Sequence, residues 1–126
     1  MMTNYFPLVA AFFLLATLTA HAQHFRGRLV LGEEIARRRV EQAGLEKLPV
    51  SSTVVPDTAT AFAIAEQVVF SKYGRKQIVA QRPYEAYLVD GYWCISGTLP
   101  WGYVGGTFTV ILNAATYRVA KVYHQQ

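Results

Sequence analysis

Between Tyr84 and the C-terminus the sequence places four strand-like runs one after another, directly behind a single long amphipathic segment. Strands that arrive consecutively after one helix pair with each other, so the pattern excludes an alternating parallel sheet and predicts an α+β domain. The helical segment is bounded at both ends. Asp57 can accept hydrogen bonds from the free N–H groups of a new helix, Pro56 discourages helical continuation from upstream, and Gly74 offers an exit. These signals predict a helix from Thr58 to about Tyr73. Phe62, Ala65, Val69 and Tyr73 share one face, and Ala61, Ile64 and Val68 widen it to a stripe suited to a sheet.

The strands are expected at Tyr84 to Asp90, Tyr92 to Thr98, Thr107 to Leu112 and about Arg118 to His124. Asp90-Gly91 suits a tight hairpin turn between the first two. In the third, Phe108, Val110 and Leu112 fall on one face and Thr107 and Thr109 on the other, while the last has two mixed faces. An antiparallel sheet with one wet face is the expectation.

Upstream, residues 23–32 read as a connecting arm, and Glu33 to Ala43 as a short helix with acid-first pairs Glu33–Arg37 and Glu34–Arg38 and a stop at Gly44. Its apolar stripe of Ile35, Val40 and Ala43 is thin, which predicts loose packing outside the main core. Arg37-Arg38-Arg39 reads as a solvated face. Leu48 to Pro56 reads as a linker. At the start, an apolar run from Phe6 to Leu18 ends in Ala20-His21-Ala22, the small-x-small pattern that signal peptidase accepts, although no Lys or Arg precedes it. The run is shorter than the roughly 20 residues that span a bilayer, so no permanent membrane anchor is expected. The expected organisation is a signal peptide at 1–22, an arm with short helix and linker at 23–53, and the α+β domain at 54–126, in a protein that is periplasmic or secreted.

The formal net charge of +4, from 12 basic and 8 acidic residues, favours an acidic partner surface or an anionic envelope, is explained equally well by solubility, and is too small and dispersed to argue for nucleic acid. Cys94 is the only cysteine, so no internal disulfide can form; inside Tyr92-Trp93-Cys94-Ile95 it reads as a small buried hydrophobe. His24 and His124 have no clustered partner at ligand spacing, and no metal or cofactor is called for. Among the carboxylates, Glu66 should reach solvent beside the buried helix stripe, Asp90 belongs to its turn, and Glu85 has Arg82 or Lys121 as candidate partners. None makes a catalytic pair, and no catalytic residue is assigned.

The most unusual segment is Gly97-Thr98-Leu99-Pro100-Trp101-Gly102-Tyr103-Val104-Gly105-Gly106. Gly97, Pro100, Gly102, Gly105 and Gly106 specify a tightly turned loop on which Leu99, Trp101 and Tyr103 are candidate partner-binding residues. No Gly-Lys-Ser/Thr follows, so this is not a phosphate loop. The alternative is that the aromatic rings fold back to cap the core.

With Val55-Pro56-Asp57, Lys72-Tyr73-Gly74, Arg82-Pro83-Tyr84-Glu85-Ala86 and Tyr92-Trp93, this loop resembles the small bacterial immunity-protein family with a nuclear transport factor two type fold, over about residues 54 to 124. The resemblance implies a cystatin-like cone, a curved antiparallel sheet of about four strands wrapping the long helix, here with an additional N-terminal helix. It also implies a non-enzymatic protein of bacterial toxin competition systems that neutralises a cognate toxin by binding it, without a cofactor. A second reading is a small-ligand binder or enzyme using the cone's interior, for which Glu85, Tyr87, Tyr92 and His124 are the candidates. A third is a structural envelope domain with neither patch nor pocket.

Overall fold

The structure is a computed structural model and describes residues 25–49 and 57–125. The expected signal peptide, His24 and most of the expected linker lie outside the described residues. Strand β1 (Arg28–Leu29) leads to helix α1 (Glu33–Gln42). Helix α2 (Thr58–Tyr73) starts at Asp57, whose carboxylate accepts the Thr60 N–H at 3.2 Å, and ends at Gly74, which has φ 93°. A five-residue helix α3 (Arg75–Val79) follows at once, and the remaining elements are β2 (Glu85–Val89), β3 (Tyr92–Ser96), β4 (Leu99–Pro100), β5 (Phe108–Asn113) and β6 (Val119–His124).

Four strands form one antiparallel sheet in the order β2-β3-β5-β6. Val89 lies opposite Tyr92, so Asp90 and Gly91 alone make the connecting turn, both at positive φ (51° and 88°). At the far end of β5, Asn113 closes the turn by accepting the N–H groups of Ala115 and Thr116 on its side chain. The register then sorts the side chains. Ala86 faces Ile95 and Ile95 faces Val110, so one face gathers Trp93, Ile95, Phe108, Val110 and Leu112 into a single buried cluster with Ala61, Ala65 and Val69 of α2 and Ile78 of α3.

The opposite face is not wet, which corrects the expectation from strand alternation. Val89, Tyr92, Cys94 and Ile111 form a second buried cluster with Ala36 and Val40 of α1. Helix α1 therefore packs firmly on the sheet instead of lying outside the core. Its stripe looked thin because the middle of the buried face is Arg39, only 6% exposed. Arg37 and Arg38 do stay in solvent, paired to Glu33 and Glu34. Arg39 instead donates from Nη1 to Ser96 Oγ (2.8 Å) and Thr109 Oγ1 (2.7 Å), and from Nη2 to Gln125 Oε1 (2.8 Å).

A buried carboxylate answers it on the same face. Glu85, 2% exposed, lies cross-strand from Ser96, so one serine separates it from the Arg39 guanidinium. Neither Arg82 nor Lys121, the candidates from sequence, is its partner. Its oxygens accept the N–H groups of Leu31 and Gly32 (both 2.9 Å) and the Tyr87 hydroxyl (3.0 Å), which ties the start of α1 to the edge of the sheet. Arg82 pairs with Glu66 instead, at 2.5 Å, and Tyr84 donates its hydroxyl to the same Glu66 oxygen at 2.6 Å, so Glu66 is engaged at the α2 flank and not simply solvated.

Candidate interaction surface

Residues 25–32, expected to be a plain connecting arm, supply one strand of a second, two-stranded sheet. Arg28 lies opposite Pro100 and Leu29 opposite Leu99. The Gly97–Gly106 loop thus leaves the main sheet and is gripped by the arm. Arg28 donates from Nε to Thr98 Oγ1 (3.0 Å) and from Nη2 to the carbonyls of Thr98 (2.7 Å) and Ala80 (2.9 Å). Thr98 donates its hydroxyl to Pro83 O (2.7 Å). The base of the loop is built on close approach: a Cβ at Gly97 would meet the Gln81 side chain, and one at Gly106 would run into the Gln125 backbone.

Above this base the aromatic residues point outward. Trp101 is 74% exposed, Tyr103 69%, and Val104 fully exposed. The rings do not cap the core. Trp101 is positioned by two bonds to the arm, its N–H to Gly27 O (3.0 Å) and its indole N–H to Arg28 O (2.7 Å). Leu99, half-buried, shares a cleft of about 60 Å³ with Leu29, Leu31, Gly105 and Gly106. Leu29 and Val30 add exposed apolar surface beside it. Sequence reasoning misses Leu29, Val30 and Val104. The available signal is the short apolar run Leu29-Val30-Leu31 between Gly27 and Gly32, too brief to register as a strand.

The candidates for an internal pocket do not converge. Glu85 and Tyr87 bond to each other, Tyr92 donates its hydroxyl to Glu46 O (2.7 Å) at the hairpin end, and His124 lies across the sheet, 3.1 Å from Gln81 Nε2 and against the Tyr73 ring. An open groove of about 590 Å³ is lined by Ala59, Phe62, Ala63, Glu66, Arg82, Pro83 and Tyr84. None of the four candidates lines it.

Two kinds of titrating group report on the packing. Burial pushes the Cys94 thiol up to about 11, with the Arg39 charge acting in the opposite direction and the Glu85 charge adding to the rise. Because the thiolate is the reactive form, alkylation of native Cys94 should be slow at neutral pH and become fast only with denaturant; labelling as fast as a free thiol in the native protein would contradict the core assignment. Tyr84 and Tyr87 are pushed up to about 12, both first by burial, then by the Glu66 hydrogen bond and the Glu85 charge respectively. In the unfolded chain both ionise near 10.0, so the stability they contribute is complete below that pH and is lost as pH rises toward 12. An alkaline titration followed by phenolate absorbance should show a late step coinciding with unfolding. A single step near the ordinary tyrosine value would contradict this.

Three helices against antiparallel sheets, with apolar and aromatic side chains offered on a loop, make this a small α+β domain consistent with an NTF2-like fold. The sequence profile of a family described as NTF2 fold immunity protein matches residues 60–126, from the first turn of α2 through the last strand, and the chain belongs to that family. No curated protein and no solved structure matches the chain.

Proposed function

We propose that this protein is exported and neutralises a bacterial toxin by binding it directly, with no chemical step of its own. Membership of an immunity-protein family carries the reading. The internal polar groups that an enzyme or ligand binder would need are spent on holding the fold: Glu85 on the arm, Tyr92 on Glu46, and His124 beside Gln81. The small-x-small ending at Ala22 is the basis for export, to the periplasm or beyond the cell. A neutralising interface needs about 800 Å² on each partner with a few buried anchors at its centre. On this chain the ribbon bearing Leu99, Trp101 and Tyr103 is the first surface to test.

The tagged protein is used to capture partners from extracts of its own organism, and any captured protein is then expressed alone and together with this chain. The expected result is a captured protein that arrests growth alone and is silenced by co-expression. Failure to capture any such protein, with a small molecule co-purifying and raising the melting temperature, would overturn the reading. Capture lost in Trp101→Ala would place the grip at the loop. Capture retained would place it elsewhere.

A further inference from the structure

From Leu99 to Gly106, every hydrogen bond that leaves the loop among the described residues ends on the arm. Leu99 pairs with Leu29 in the two-stranded ribbon, the Trp101 N–H donates to Gly27 O, and the indole N–H donates to Arg28 O. The bond from the Tyr103 N–H to Pro100 O only closes the loop on itself. The arm is in turn held on both sides of Leu29. Arg28 reaches Thr98 Oγ1, Thr98 O and Ala80 O, and Glu85 takes the N–H groups of Leu31 and Gly32. An exposed aromatic anchor fixed in one orientation before its partner arrives binds more tightly, because the ordering cost is already met within the fold.

The arm also adds contact surface. Leu29 is exposed, borders the cleft it shares with Leu99, and follows directly on the carbonyl that holds the indole, so Leu29 and Trp101 are neighbours. The flanking charges are of both signs: exposed Arg26 precedes this apolar centre, and Glu33 and Glu34, paired with Arg37 and Arg38, follow it. An apolar centre with an aromatic anchor inside a rim of mixed charge is the anatomy of a protein-binding surface. We infer that the arm belongs to the toxin-binding site, with Leu29 making contact beside Trp101 and Arg28 acting as a positioning residue that fixes the indole before binding. The partner surface that fits is an apolar recess, and it offers no acceptor to the indole N–H, which Arg28 O already holds. This inference rests on the toxin reading above and extends it. Because the arm lies upstream of residue 60, where the family match begins, the choice of partner depends in part on residues outside the matched region.

The first measurement is made on the free protein. The chain has two tryptophans, so its NMR spectrum carries two indole N–H signals, and Trp101→Phe identifies which is which. The Trp101 indole proton should exchange with solvent about tenfold or more slowly than that of free indole, although the ring is exposed, and Arg28→Ala should abolish this protection. Arg28→Lys, which keeps donors for the two carbonyls, should retain part of it. A merely structural role for Arg28 predicts a lowered urea midpoint with the Trp101 protection unchanged in the folded protein; that result, or an unprotected Trp101 in the unaltered chain, overturns the positioning role. The second measurement uses the captured toxin, identified by its growth arrest. Leu29→Asp should keep its urea midpoint and weaken toxin binding about tenfold or more, and Arg28→Ala should weaken it about tenfold. Val119→Asp, at a similarly exposed position on β6, should bind as the unaltered chain does. If the toxin binds both arm variants as tightly as the unaltered chain, the arm lies outside the site and the toxin reading stands. If no captured protein arrests growth, both fall together.

Discussion

Glu85→Ala should destabilise the protein by about 3 to 5 kcal/mol, a large part of what a domain of this size possesses. The substitution leaves the N–H groups of Leu31 and Gly32 and the Tyr87 hydroxyl without their acceptor. It also removes the negative charge from the sheet face that buries Arg39, which makes no ion pair among the described residues and is held by Ser96, Thr109 and Gln125. Arg39→Ala should cost a similar amount for the mirror-image reason. The two residues flank Ser96 on one sheet face, so their effects should not add: Arg39→Ala combined with Glu85→Ala should cost clearly less than the sum of the single changes. Urea unfolding of the four proteins measures this. Single-variant losses below about 1 kcal/mol, or strict additivity, would show that the two buried charges do not act together.

The second large effect is expected at the hairpin. Gly91→Val should destabilise by about 3 kcal/mol, because two costs meet at one position. The residue sits at φ 88° in a two-residue turn, and a Cβ there would lie 2.6 Å from Leu48 Cβ. Leu48 cannot simply withdraw, since its N–H is bonded to Asp90 O at 3.1 Å and its side chain packs against the second core cluster. Gly105→Val provides the contrast. There the backbone has φ 151°, but nothing lies within 4 Å of an added Cβ, so strain of about 1 kcal/mol is the expected loss. Chemical denaturation of both variants tests the order; a Gly105 variant weaker than the Gly91 variant would reverse it.

Features governed by neighbouring residues are legible in the sequence alone. Asp57, the stripe through Ala61, Ala65 and Val69, and Gly74 together bound a helix whose observed limits are Thr58–Tyr73. Asp90-Gly91 is recognisable as a two-residue turn because few other dipeptides adopt two successive positive φ values at low cost. What the sequence hides is long-range. Arg39 sits in a run of three arginines, and nothing local distinguishes it from Arg37 and Arg38; its burial depends on Ser96 and Thr109, more than fifty residues away. The arm is equally opaque, since a two-residue strand has no period to detect and exists only because Pro100 and Leu99 lie opposite it. At the candidate surface the loop residues can be named from glycine and proline spacing, whereas the direction of the rings and the presence of Leu29 beside them follow from the arm's pairing.

The family-matched region begins at residue 60, yet one wall of the core is supplied from before it. A fragment cut to the family boundary would lose α1 and the arm together. Val89, Tyr92, Cys94 and Ile111 would then face water as a contiguous apolar sheet surface, and Glu85, Ser96 and Thr109 would lose their N-terminal partners. Such a fragment would be a poor reagent: sticky, open at a sheet face, and carrying a newly accessible thiol. For this chain the limits of the family match and the limits of the packed core are different lines, and binding work needs the longer one.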